Sequence, residues 1–452
     1  MSINPAIFKA YDIRGVYPED INEDVAYKIG QAYARLVNPK IVALGRDVRI
    51  SSPSLFEAIK NGLLDHGVKV VDIGIGSTDT MYFAVANYGY DGGLMITASH
   101  NPREYNGVKM VRAKGVPVSG DSGIMEIRDL VAQGYAYQAP QKGESTVKDA
   151  SDDYVKKILS VVDVVKVKSR TFKIVANINF GPTAERLRKI AEFLPLEIIW
   201  LNEEPNGEFP KGRPDPLVPE NRQELVELVR KNQADFGVAW DCDADRIFFV
   251  DETGRFLSGY FTTAVLAKVL LEKYPGGKII TDMKLNWAII DTVKKAGGIP
   301  LSNKTGHSFF KARMIAEDAI FGGEVSGHYC FKDFFYLDNG LIPLVLMLEL
   351  LAKTGQKMSQ IYQPYFENYF AIEETNFTVT DKDGLLAALK DKYSDGKLSE
   401  IDGVAIEYPD WRFSVRASNT EPVVRLNLEA RSEKLMEEKM GEVIKFIKLS
   451  SF

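Results

Sequence analysis

Two apolar runs enclose an acidic loop in the stretch Phe236-Gly237-Val238-Ala239-Trp240-Asp241-Cys242-Asp243-Ala244-Asp245-Arg246-Ile247-Phe248-Phe249-Val250. Its three carboxylates, on Asp241, Asp243 and Asp245, repel one another unless a positive charge lies among them. Mg²⁺ and Ca²⁺ both prefer oxygen ligands, so a hard divalent cation is the simplest partner. The stretch therefore predicts a strand-loop-strand unit with a metal-binding loop at the end of a buried strand.

Two other interpretations of this loop are open. Acidic runs are commonly solvated surface loops. An EF-hand loop would use the three aspartates and Glu252 as ligands, but Arg246 stands where its turn requires glycine. The strand-like flanks also differ from the helices that enclose an EF-hand. We therefore favour the metal loop of a β-strand unit.

Length and composition are those of an ordinary globular protein. A chain of 452 residues exceeds one hydrophobic core and indicates about three or four domains. No apolar stretch reaches the roughly 18 residues of a membrane span, and the amino terminus lacks signal-peptide character, so no membrane association is expected. A net charge of −6 argues against a nucleic-acid partner. Two distant cysteines, Cys242 and Cys330, make structural zinc improbable and favour a cytoplasmic location.

Helical and strand patterns alternate along most of the chain, which is typical of sheets covered by helices. Strands are predicted at 40–45, 68–73, 172–178, 196–201, 278–282 and 299–301, and helices at 24–36, 54–66, 184–193 and 287–296. The polar segment 142–150 is predicted to be a linker. From about residue 367 the pattern changes to strands at 369–373 and 403–407 and a helix at 432–449.

A repeated local pattern sets the expected fold class. Polar loops at 97–102, 241–246 and 324–328 each follow one apolar strand and precede another. Chance similarity is the alternative to a common architecture. We predict three similar α/β domains with mixed sheets and a C-terminal α+β domain around one central cleft. The predicted domains are 1–150, 151–254, 255–366 and 367–452.

The loop 97–102 places the hydroxyl of Ser99 beside the imidazole of His100. A serine next to a base is a common nucleophile arrangement. Neighbours in an extended segment point apart, however, so His100 need not be that base, and a turn without chemistry is the plain alternative. The absence of a Gly-x-Ser-x-Gly elbow disfavours an α/β-hydrolase.

Five ordered motifs carry a family resemblance. They are Phe8 to Gly15, Thr97 to Pro102, Asp241 to Arg246, Glu324 to His328 and Arg416 to Pro422. Together they resemble the α-D-phosphohexomutase superfamily, most closely its phosphomannomutase/phosphoglucomutase group. The resemblance implies reversible transfer of a phosphoryl group between C1 and C6 of a mannose or glucose phosphate. It also implies a phosphoserine enzyme and a hexose 1,6-bisphosphate intermediate that acts as activator.

The resemblance further implies roles for individual residues. Ser99 carries the phosphoryl group, and one of its oxygens binds one Mg²⁺ together with Asp241, Asp243 and Asp245. The other reacting-group residues are Arg14, His100, Lys109, Arg246 and His307. The substrate-binding residues are Tyr11, Lys284, Glu324, Ser326, His328, Arg416, Ser418, Asn419 and Thr420.

Some of these assignments leave alternatives open. Lys109 and His307 are the favoured acid/base candidates, and which of them is the acid and which the base is left open. His328 either holds the sugar loop or takes part directly. Glu324 and Ser326 are expected to face the same way on an extended segment, as two contacts to sugar hydroxyls require. A guanidinium and hydroxyl donors suit the phosphate anchor at Arg416.

The chain departs from the family pattern at two positions, and three alternative functions are open. Cys242 stands where relatives commonly have Gly, and Glu421 stands where many have Thr. A phosphoglucosamine mutase usually has Gln where this chain has Val325. A Mg²⁺-dependent phosphatase would use an aspartyl nucleophile, and a Ca²⁺-binding module conflicts with Arg246. We expect small-molecule hexose phosphates as partners and a monomer or weak homodimer.

Overall fold

The computed structural model describes residues 3–417 and 423–449. Contacts divide the chain into two compact units, Met1–Leu257 with Phe331–Met358, and Ser258–Cys330 with Ser359–Phe452. Within the described ranges, no helix is both long enough and apolar enough to cross a bilayer.

The first unit begins with a mixed sheet in the strand order β1-β5-β4-β2-β3-β6. Its central strands β4, β2 and β3 run parallel, while β1 and β5 pair antiparallel at one side. The elements are β1 (Ile13–Val16), α1 (Glu23–Val37), β2 (Ile41–Arg46), α2 (Ser52–Asp65), β3 (Lys69–Ile75), α3 (Thr78–Tyr88), β4 (Gly92–Ile96), β5 (Tyr105–Arg112), α4 (Ile124–Ala132) and β6 (Ser145–Val147).

Helix α1 illustrates how local sequence sets these elements. The side chain of Asn22 caps it by accepting from the N–H of Val25, and Asn38 ends it in a left-handed conformation. Val25, Ile29 and Tyr33 recur at helical spacing and are buried in the core of this sheet. The caps therefore set the limits of α1, and the periodic apolar residues set the face that packs on the sheet.

A second mixed sheet in the same unit has the order β11-β10-β9-β7-β8. Strands β8, β7 and β9 are parallel, and β10 returns antiparallel to β9. Its elements are α5 (Ser151–Leu159), α6 (Val164–Val167), β7 (Phe172–Asn177), α7 (Thr183–Phe193), β8 (Leu196–Leu201), α8 (Gln223–Asn232), β9 (Phe236–Trp240), β10 (Ile247–Asp251) and β11 (Phe256–Leu257).

The third sheet is built around β12, which pairs in parallel with β13 and β14. The elements of this part of the chain are α9 (Gly259–Lys273), β12 (Lys278–Asp282), α10 (Trp287–Lys295), β13 (Ile299–Asn303), α11 (His307–Glu317), β14 (Phe321–Gly323), β15 (Tyr329–Phe331), β16 (Leu337–Asp338) and α12 (Ile342–Thr354). Residues 331–358, which include β16 and α12, belong to the first unit.

The fourth sheet is antiparallel and has the order β17-β21-β20-β19-β18. One core joins this sheet to its helices α14 and α15. The elements are α13 (Met358–Asn368), β17 (Phe370–Thr378), α14 (Lys382–Lys392), β18 (Lys397–Ser399), β19 (Val404–Glu407), β20 (Trp411–Ala417), β21 (Val423–Ala430) and α15 (Glu433–Leu449).

The predicted fold class, three α/β domains with mixed sheets followed by an α+β domain, is confirmed. The predicted linker 142–150 is wrong in one respect, because it contains β6, which pairs in parallel with β3 at the sheet edge. All three residues of β6 are exposed, so this strand has no apolar face to distinguish it from a polar linker.

Candidate active site

The loop that follows β4 holds Ser99 in a strained backbone conformation. Its φ is 51°, in the left-handed region that residues other than glycine seldom adopt. The N–H of Ser99 donates to Oγ1 of Thr97 at 2.9 Å, which helps to hold the turn. Such conformations persist only where the surroundings enforce them, and they cluster at functional sites. The strain therefore singles out Ser99 within this loop.

The hydroxyl of Ser99 meets two groups that can take part in its chemistry. Oγ donates to Oδ2 of Asp241 at 2.9 Å and lies 3.1 Å from Nδ1 of His100. An extended segment would turn His100 away, but the left-handed φ of Ser99 brings the two side chains together. Burial, and then the positive charges of Arg246 and Arg14, lower the pKa of His100, so its ring is neutral near pH 7.

The acidic loop between β9 and β10 gathers its three carboxylates in the interior. Oxygens of Asp241, Asp243 and Asp245 lie within 4.8 Å of one another, and all three residues are buried. Burial and then the two neighbouring carboxylates raise the pKa of Asp241 well above its usual range. Oδ1 of Asp243 is buried and has no hydrogen-bond partner among the described residues. A cation that prefers oxygen ligands would offset the repulsion that raises the pKa of Asp241 and would give Oδ1 of Asp243 a partner. These residues therefore fit a metal ion.

Lys109 reaches the same carboxylates from β5. Its Nζ donates to Oδ2 of Asp243 at 2.7 Å and also contacts Asp245. Burial alone would lower the pKa of Lys109, but the two carboxylates outweigh burial and raise it. Oγ1 of Thr78 donates to the same Oδ2 of Asp243 at 2.5 Å. In this arrangement the charged, ammonium form of Lys109 is favoured.

Two guanidinium groups brace the loops on which Ser99 and Asp241 lie. Arg14, on β1, donates from Nη1 to Oδ1 of Asn101 at 2.7 Å and from Nε to Asp12 at 2.8 Å. Arg246 donates its backbone N–H to Oδ1 of Asp241 at 3.3 Å, and its Nε lies 3.8 Å from Oδ2. The planar fork of arginine suits the oxygens of a phosphoryl group. Both residues are therefore placed to orient such a group near Ser99.

Arg49 belongs to this site although the sequence analysis does not single it out. Its side chain is fully buried, and Nε contacts Asp47 at 3.2 Å. Its two Nη atoms donate at 2.7 to 3.0 Å to the backbone carbonyls of Ser99, Asn101, Pro102 and Tyr105. Arg49 therefore fastens the backbone of the Ser99 loop to the loop that follows β2.

Strand pairing provides a sequence signal that could have found Arg49. Strands β2 and β4 are parallel, with Arg46 opposite Ile96 at their carboxyl ends. The loops that leave these strands therefore share one edge of the sheet, where α/β proteins place their sites. The polar segment Asp47 to Ser52 follows β2 directly, so this rule would have added it to the candidate residues.

Replacing Gly181 with Ala should weaken metal binding without touching a ligand. A Cβ at this position would lie 2.3 Å from the carbonyl oxygen of Cys242, in the backbone of the acidic loop. The loop would have to shift, and changes around metal ligands lower affinity by roughly tenfold or more. We expect the dissociation constant of the loop for a divalent cation, measured with Mg²⁺, to rise by about that factor. Gly441→Ala is the matched control, because a Cβ there has no neighbour within 4 Å.

Equal affinities for Mg²⁺ in Gly181→Ala and Gly441→Ala would contradict this account of the loop. Metal binding is best measured by titrating Mg²⁺ into purified protein at constant ionic strength, with the fold of each variant checked by circular dichroism.

In the second unit, the loop between β14 and β15 brings Glu324, Ser326 and His328 together. Nδ1 of His328 lies 3.0 Å from Oγ of Ser326 and 3.2 Å from Oε2 of Glu324. The predicted extended segment is wrong, because the N–H of Gly327 donates to the carbonyl of Glu324 and closes a turn. The two side chains still share one side, since the turn folds them toward the same imidazole.

Asp282 supports this loop from the end of β12. Its carboxylate accepts from the N–H of Lys284 at 3.0 Å and from the N–H of Val325 at 3.1 Å. Burial raises the pKa of Asp282 to about 6, with the charge of Lys284 opposing this rise and that of Glu324 adding to it. Asp282 therefore fixes Lys284 relative to the Glu324 loop, a role that sequence patterns alone do not indicate.

The Glu324 carboxylate is stabilised in its charged form. Burial alone would raise its pKa, but the His328 ring, the backbone N–H of Gly306 and the charge of Lys284 hold it below the usual value. Gly306 donates to Oε1 of Glu324 at 2.5 Å. An ionised, buried acceptor of this kind suits hydrogen bonds from hydroxyl groups.

The remaining predicted residues are only partly described. Arg416 is the penultimate residue of β20 and contacts Glu374, which also contacts Lys284. Tyr11 lies in the bend before β1. Outside the described residues lie Ser418, Asn419, Thr420 and Glu421, and so does the side chain of His307, whose backbone begins α11.

Four family models match successive parts of the chain. They are the phosphoglucomutase/phosphomannomutase alpha/beta/alpha domains I, II and III, at residues 5–138, 152–254 and 258–369, and the C-terminal domain at 374–445.

Curated relatives and solved structures match over nearly full length. A protein named phosphohexose mutases from Xanthomonas campestris pv. campestris is 41% identical over 96% of this chain and 98% of its own length. A phosphomannomutase of Escherichia coli is 40% identical over 98% and 99%. The crystal structure of a Burkholderia thailandensis phosphoglucomutase/phosphomannomutase family protein is 32% identical, covers 99% of this chain and 98% of that one, and has a TM-score of 0.90. The chain therefore belongs to the phosphoglucomutase/phosphomannomutase family.

Proposed function

We propose that this chain is a hexose-phosphate mutase that moves a phosphoryl group between the C1 and C6 oxygens of one sugar. The observation that carries the proposal is the contact at 2.9 Å between Oγ of Ser99 and Asp241 in a buried carboxylate triad. A nucleophilic oxygen beside a site for a hard cation is the arrangement that phosphoryl transfer requires.

The proposed reaction uses two transfers of opposite direction. In the first, the bond between phosphorus and Oγ of phosphorylated Ser99 breaks as a sugar hydroxyl bonds to the same phosphorus, and the hydroxyl proton passes to a base. The bisphosphate then turns round, and its other phosphoryl group returns to Oγ of Ser99 while the sugar oxygen regains a proton. Each cycle therefore restores the phosphoserine and yields the isomer.

The chain's own residues position and neutralise the moving group. Arg14 and Arg246 supply guanidinium groups near Ser99, where charge develops on the equatorial oxygens. Lys109 and His307 are the proposed acid/base pair, which takes the proton of the attacking hydroxyl and returns a proton to the departing oxygen. The neutral His100 ring contacts Oγ of Ser99 and orients it.

The acidic loop suits one Mg²⁺ per chain. Asp241, Asp243 and Asp245 would hold it together with an oxygen of phosphorylated Ser99. When bound, it supplies positive charge against the phosphoryl oxygens. Oδ1 of Asp243, which is buried and has no hydrogen-bond partner in the described part of the chain, supports this assignment.

We assign sugar recognition to the second unit. Glu324, Ser326 and His328 would bind hydroxyl groups, while Lys284, Arg416 and the loop 418–420 would hold the non-reacting phosphate. Mannose phosphate is the proposed main substrate because relatives at 40% identity are named phosphomannomutase. Glucose phosphate differs at a single hydroxyl and is a proposed second substrate.

The remaining parts of the proposal follow from the same assignment. A hexose 1,6-bisphosphate would phosphorylate Ser99 and act as activator. The four domains would divide the work as phosphoserine (1–150), metal (151–254), sugar (255–366) and phosphate (367–452) modules. A cytoplasmic monomer or weak homodimer is proposed.

A coupled assay of three sugar phosphates tests the proposed function. Mannose, glucose and glucosamine 1-phosphates are each supplied with the matching sugar 1,6-bisphosphate and Mg²⁺, and formation of the 6-phosphate is followed. We expect the highest kcat/KM for mannose 1-phosphate and measurable turnover of glucose 1-phosphate. Preference for glucosamine 1-phosphate would instead identify a phosphoglucosamine mutase, and release of inorganic phosphate alone would identify a phosphatase.

A further inference from the structure

Thr78 contacts the acidic loop at two places. It is the first residue of α3 and is fully buried. Its Oγ1 donates to Oδ2 of Asp243 at 2.5 Å, and its backbone N–H donates to the backbone carbonyl of Asp243 at 3.0 Å. Thr78 therefore holds both the side chain and the backbone of one member of the carboxylate triad, although the sequence analysis does not single it out.

The two carboxylate oxygens of Asp243 have different surroundings. Oδ2 accepts from Thr78 and also from Nζ of Lys109, which lies 2.7 Å from Oδ2 and 3.4 Å from Oγ1 of Thr78. Oδ1 is buried and has no hydrogen-bond partner in the ranges 3–417 and 423–449. A carboxylate can bind a cation through one oxygen while its other oxygen accepts hydrogen bonds. Because both donors contact Oδ2, Oδ1 is the oxygen of Asp243 that is left for a cation.

A buried network of hydrogen bonds holds Thr78 in place. The next residue, Asp79, accepts from the hydroxyl of Tyr154 at 2.6 Å and from Nδ2 of Asn339 at 2.7 Å. The hydroxyl of Ser77 donates to the other carboxylate oxygen of Asp79. All the residues of this network are buried. Helix α3, helix α5 and the segment before α12 therefore meet at Asp79, which restrains the first turn of α3.

The same network reaches the acidic loop a second time through Gly340. The backbone N–H of Gly340 lies 3.4 Å from Oδ2 of Asp79, and its carbonyl accepts from Nε1 of Trp240 at 2.6 Å. A Cβ on Gly340 would lie 2.2 Å from the carbonyl oxygen of Ala244, in the backbone of the loop. The acidic loop is therefore packed against two segments of the chain that Asp79 joins.

We propose that Thr78 is a positioning residue for the cation of the acidic loop, and that Asp79 keeps Thr78 in place beside Asp243. The inference rests on the metal site of the proposed function. The hydroxyl of Thr78 fixes the plane of the Asp243 carboxylate, so Oδ1 faces the cation before the cation binds. Hydrogen-bond partners behind a metal ligand typically change metal affinity by roughly 10- to 100-fold.

Two other roles for the Thr78 hydroxyl predict different results. A hydroxyl that only satisfies a buried carboxylate contributes to folding stability and leaves the cation affinity unchanged. A hydroxyl that competes with the cation for the charge of Asp243 weakens cation binding, so its removal would tighten binding. Positioning predicts weaker binding after removal and a larger loss for Mg²⁺ than for Ca²⁺, because Mg²⁺ demands near-ideal octahedral geometry whereas Ca²⁺ accepts flexible ligand arrangements.

The test replaces Thr78 with Val, which has a similar shape and lacks the hydroxyl. Calorimetric titration of the purified protein with Mg²⁺ alone and with Ca²⁺ alone, at constant ionic strength, measures the two dissociation constants. We expect the Kd for Mg²⁺ to rise about tenfold and the Kd for Ca²⁺ about threefold. Thr78→Ser keeps the hydroxyl and should restore both constants to values close to those of the wild-type protein.

Thr263→Val is the matched control for Thr78→Val. Thr263 is equally buried, and its hydroxyl donates to the backbone carbonyl of Gly259 within α9. The same substitution there removes a buried hydrogen bond that does not involve the acidic loop. We therefore expect Thr263→Val to leave the affinities for Mg²⁺ and Ca²⁺ unchanged, with the fold of each variant checked by circular dichroism.

Tyr154→Phe keeps the inference testable if Thr78→Val does not fold. It removes one donor to Asp79 and should raise the Kd for Mg²⁺ about threefold, because the first turn of α3 is then held less firmly. Unchanged or tighter Mg²⁺ binding in a folded Thr78→Val variant, equal losses for the two cations, or unchanged binding in Tyr154→Phe would overturn the inference and leave the proposed function in place. Wild-type protein that binds neither cation would instead refute the proposed metal site itself.

Discussion

Replacing Ser99 with Ala is expected to lower mutase turnover by at least about a thousandfold, since in the proposed mechanism Oγ of Ser99 carries the phosphoryl group between the two transfers. In the structure Oγ of Ser99 is the atom that joins Asp241 to His100. Removing it leaves the carboxylate triad and the proposed sugar-binding residues in place. The coupled assay with mannose 1-phosphate and its bisphosphate measures the loss.

Substrate binding separates this loss from misfolding. Ser99→Ala should still bind mannose 6-phosphate in a calorimetric titration, with a Kd within a few-fold of the wild-type value. Ser160→Ala is the control, because Ser160 is an exposed residue at the end of α5. Turnover of Ser99→Ala near that of Ser160→Ala would contradict the phosphoserine mechanism.

Replacing Arg49 with Met should destabilise the first unit and lower turnover together. The substitution removes four hydrogen bonds to backbone carbonyls and leaves Asp47 buried without its cation. Breaking a buried pair in this way costs about 3–5 kcal/mol. The Ser99 loop also loses the contacts that enforce its left-handed turn, so we expect a fall in kcat of about a hundredfold. Thermal unfolding and the coupled assay measure the two effects.

Arg103 offers a matched control for this prediction. Arg103 lies in the loop between β4 and β5, which also carries Ser99. Its ion pair with Glu208 is exposed, however, and such pairs contribute about 0–1 kcal/mol to stability. Arg103→Met should therefore change both unfolding and turnover little. The double variant Arg49→Met with Asp47→Asn should recover part of the stability that Arg49→Met loses, since the asparagine carries no charge that needs a partner. Similar melting temperatures for Arg49→Met and Arg103→Met would exclude the proposed fastening role.

Periodicity predicted most elements of the sheets because their strands are apolar and their helices have one buried face. The strand Lys278–Asp282 has the predicted limits, and α1 extends the predicted helix by one residue at each end. The exception, β6, is an exposed edge strand whose pairing depends on β3 and not on its own residue types.

The site was predictable where chemistry lies within one loop and not where it depends on contacts between distant segments. The triad of aspartates indicated a cation from its spacing alone. Arg49 acts through backbone carbonyls about 50 positions away, which no local pattern records. Thr78 likewise meets Asp243 only because α3 and the acidic loop come together in the folded chain. The family resemblance supplied the link between Ser99 and Asp241, which are 142 positions apart.

Mapping the transferred phosphoryl group tests the central claim most directly. Wild-type protein is incubated with glucose 1,6-bisphosphate and Mg²⁺, separated from it, and analysed by intact mass and peptide mapping before and after a single addition of mannose 1-phosphate. We predict one phosphoryl group per chain on Ser99 and its transfer to the sugar as mannose 1,6-bisphosphate within one turnover. A chain that stays unmodified, carries the group on an aspartate, or retains it when substrate is added would contradict the account.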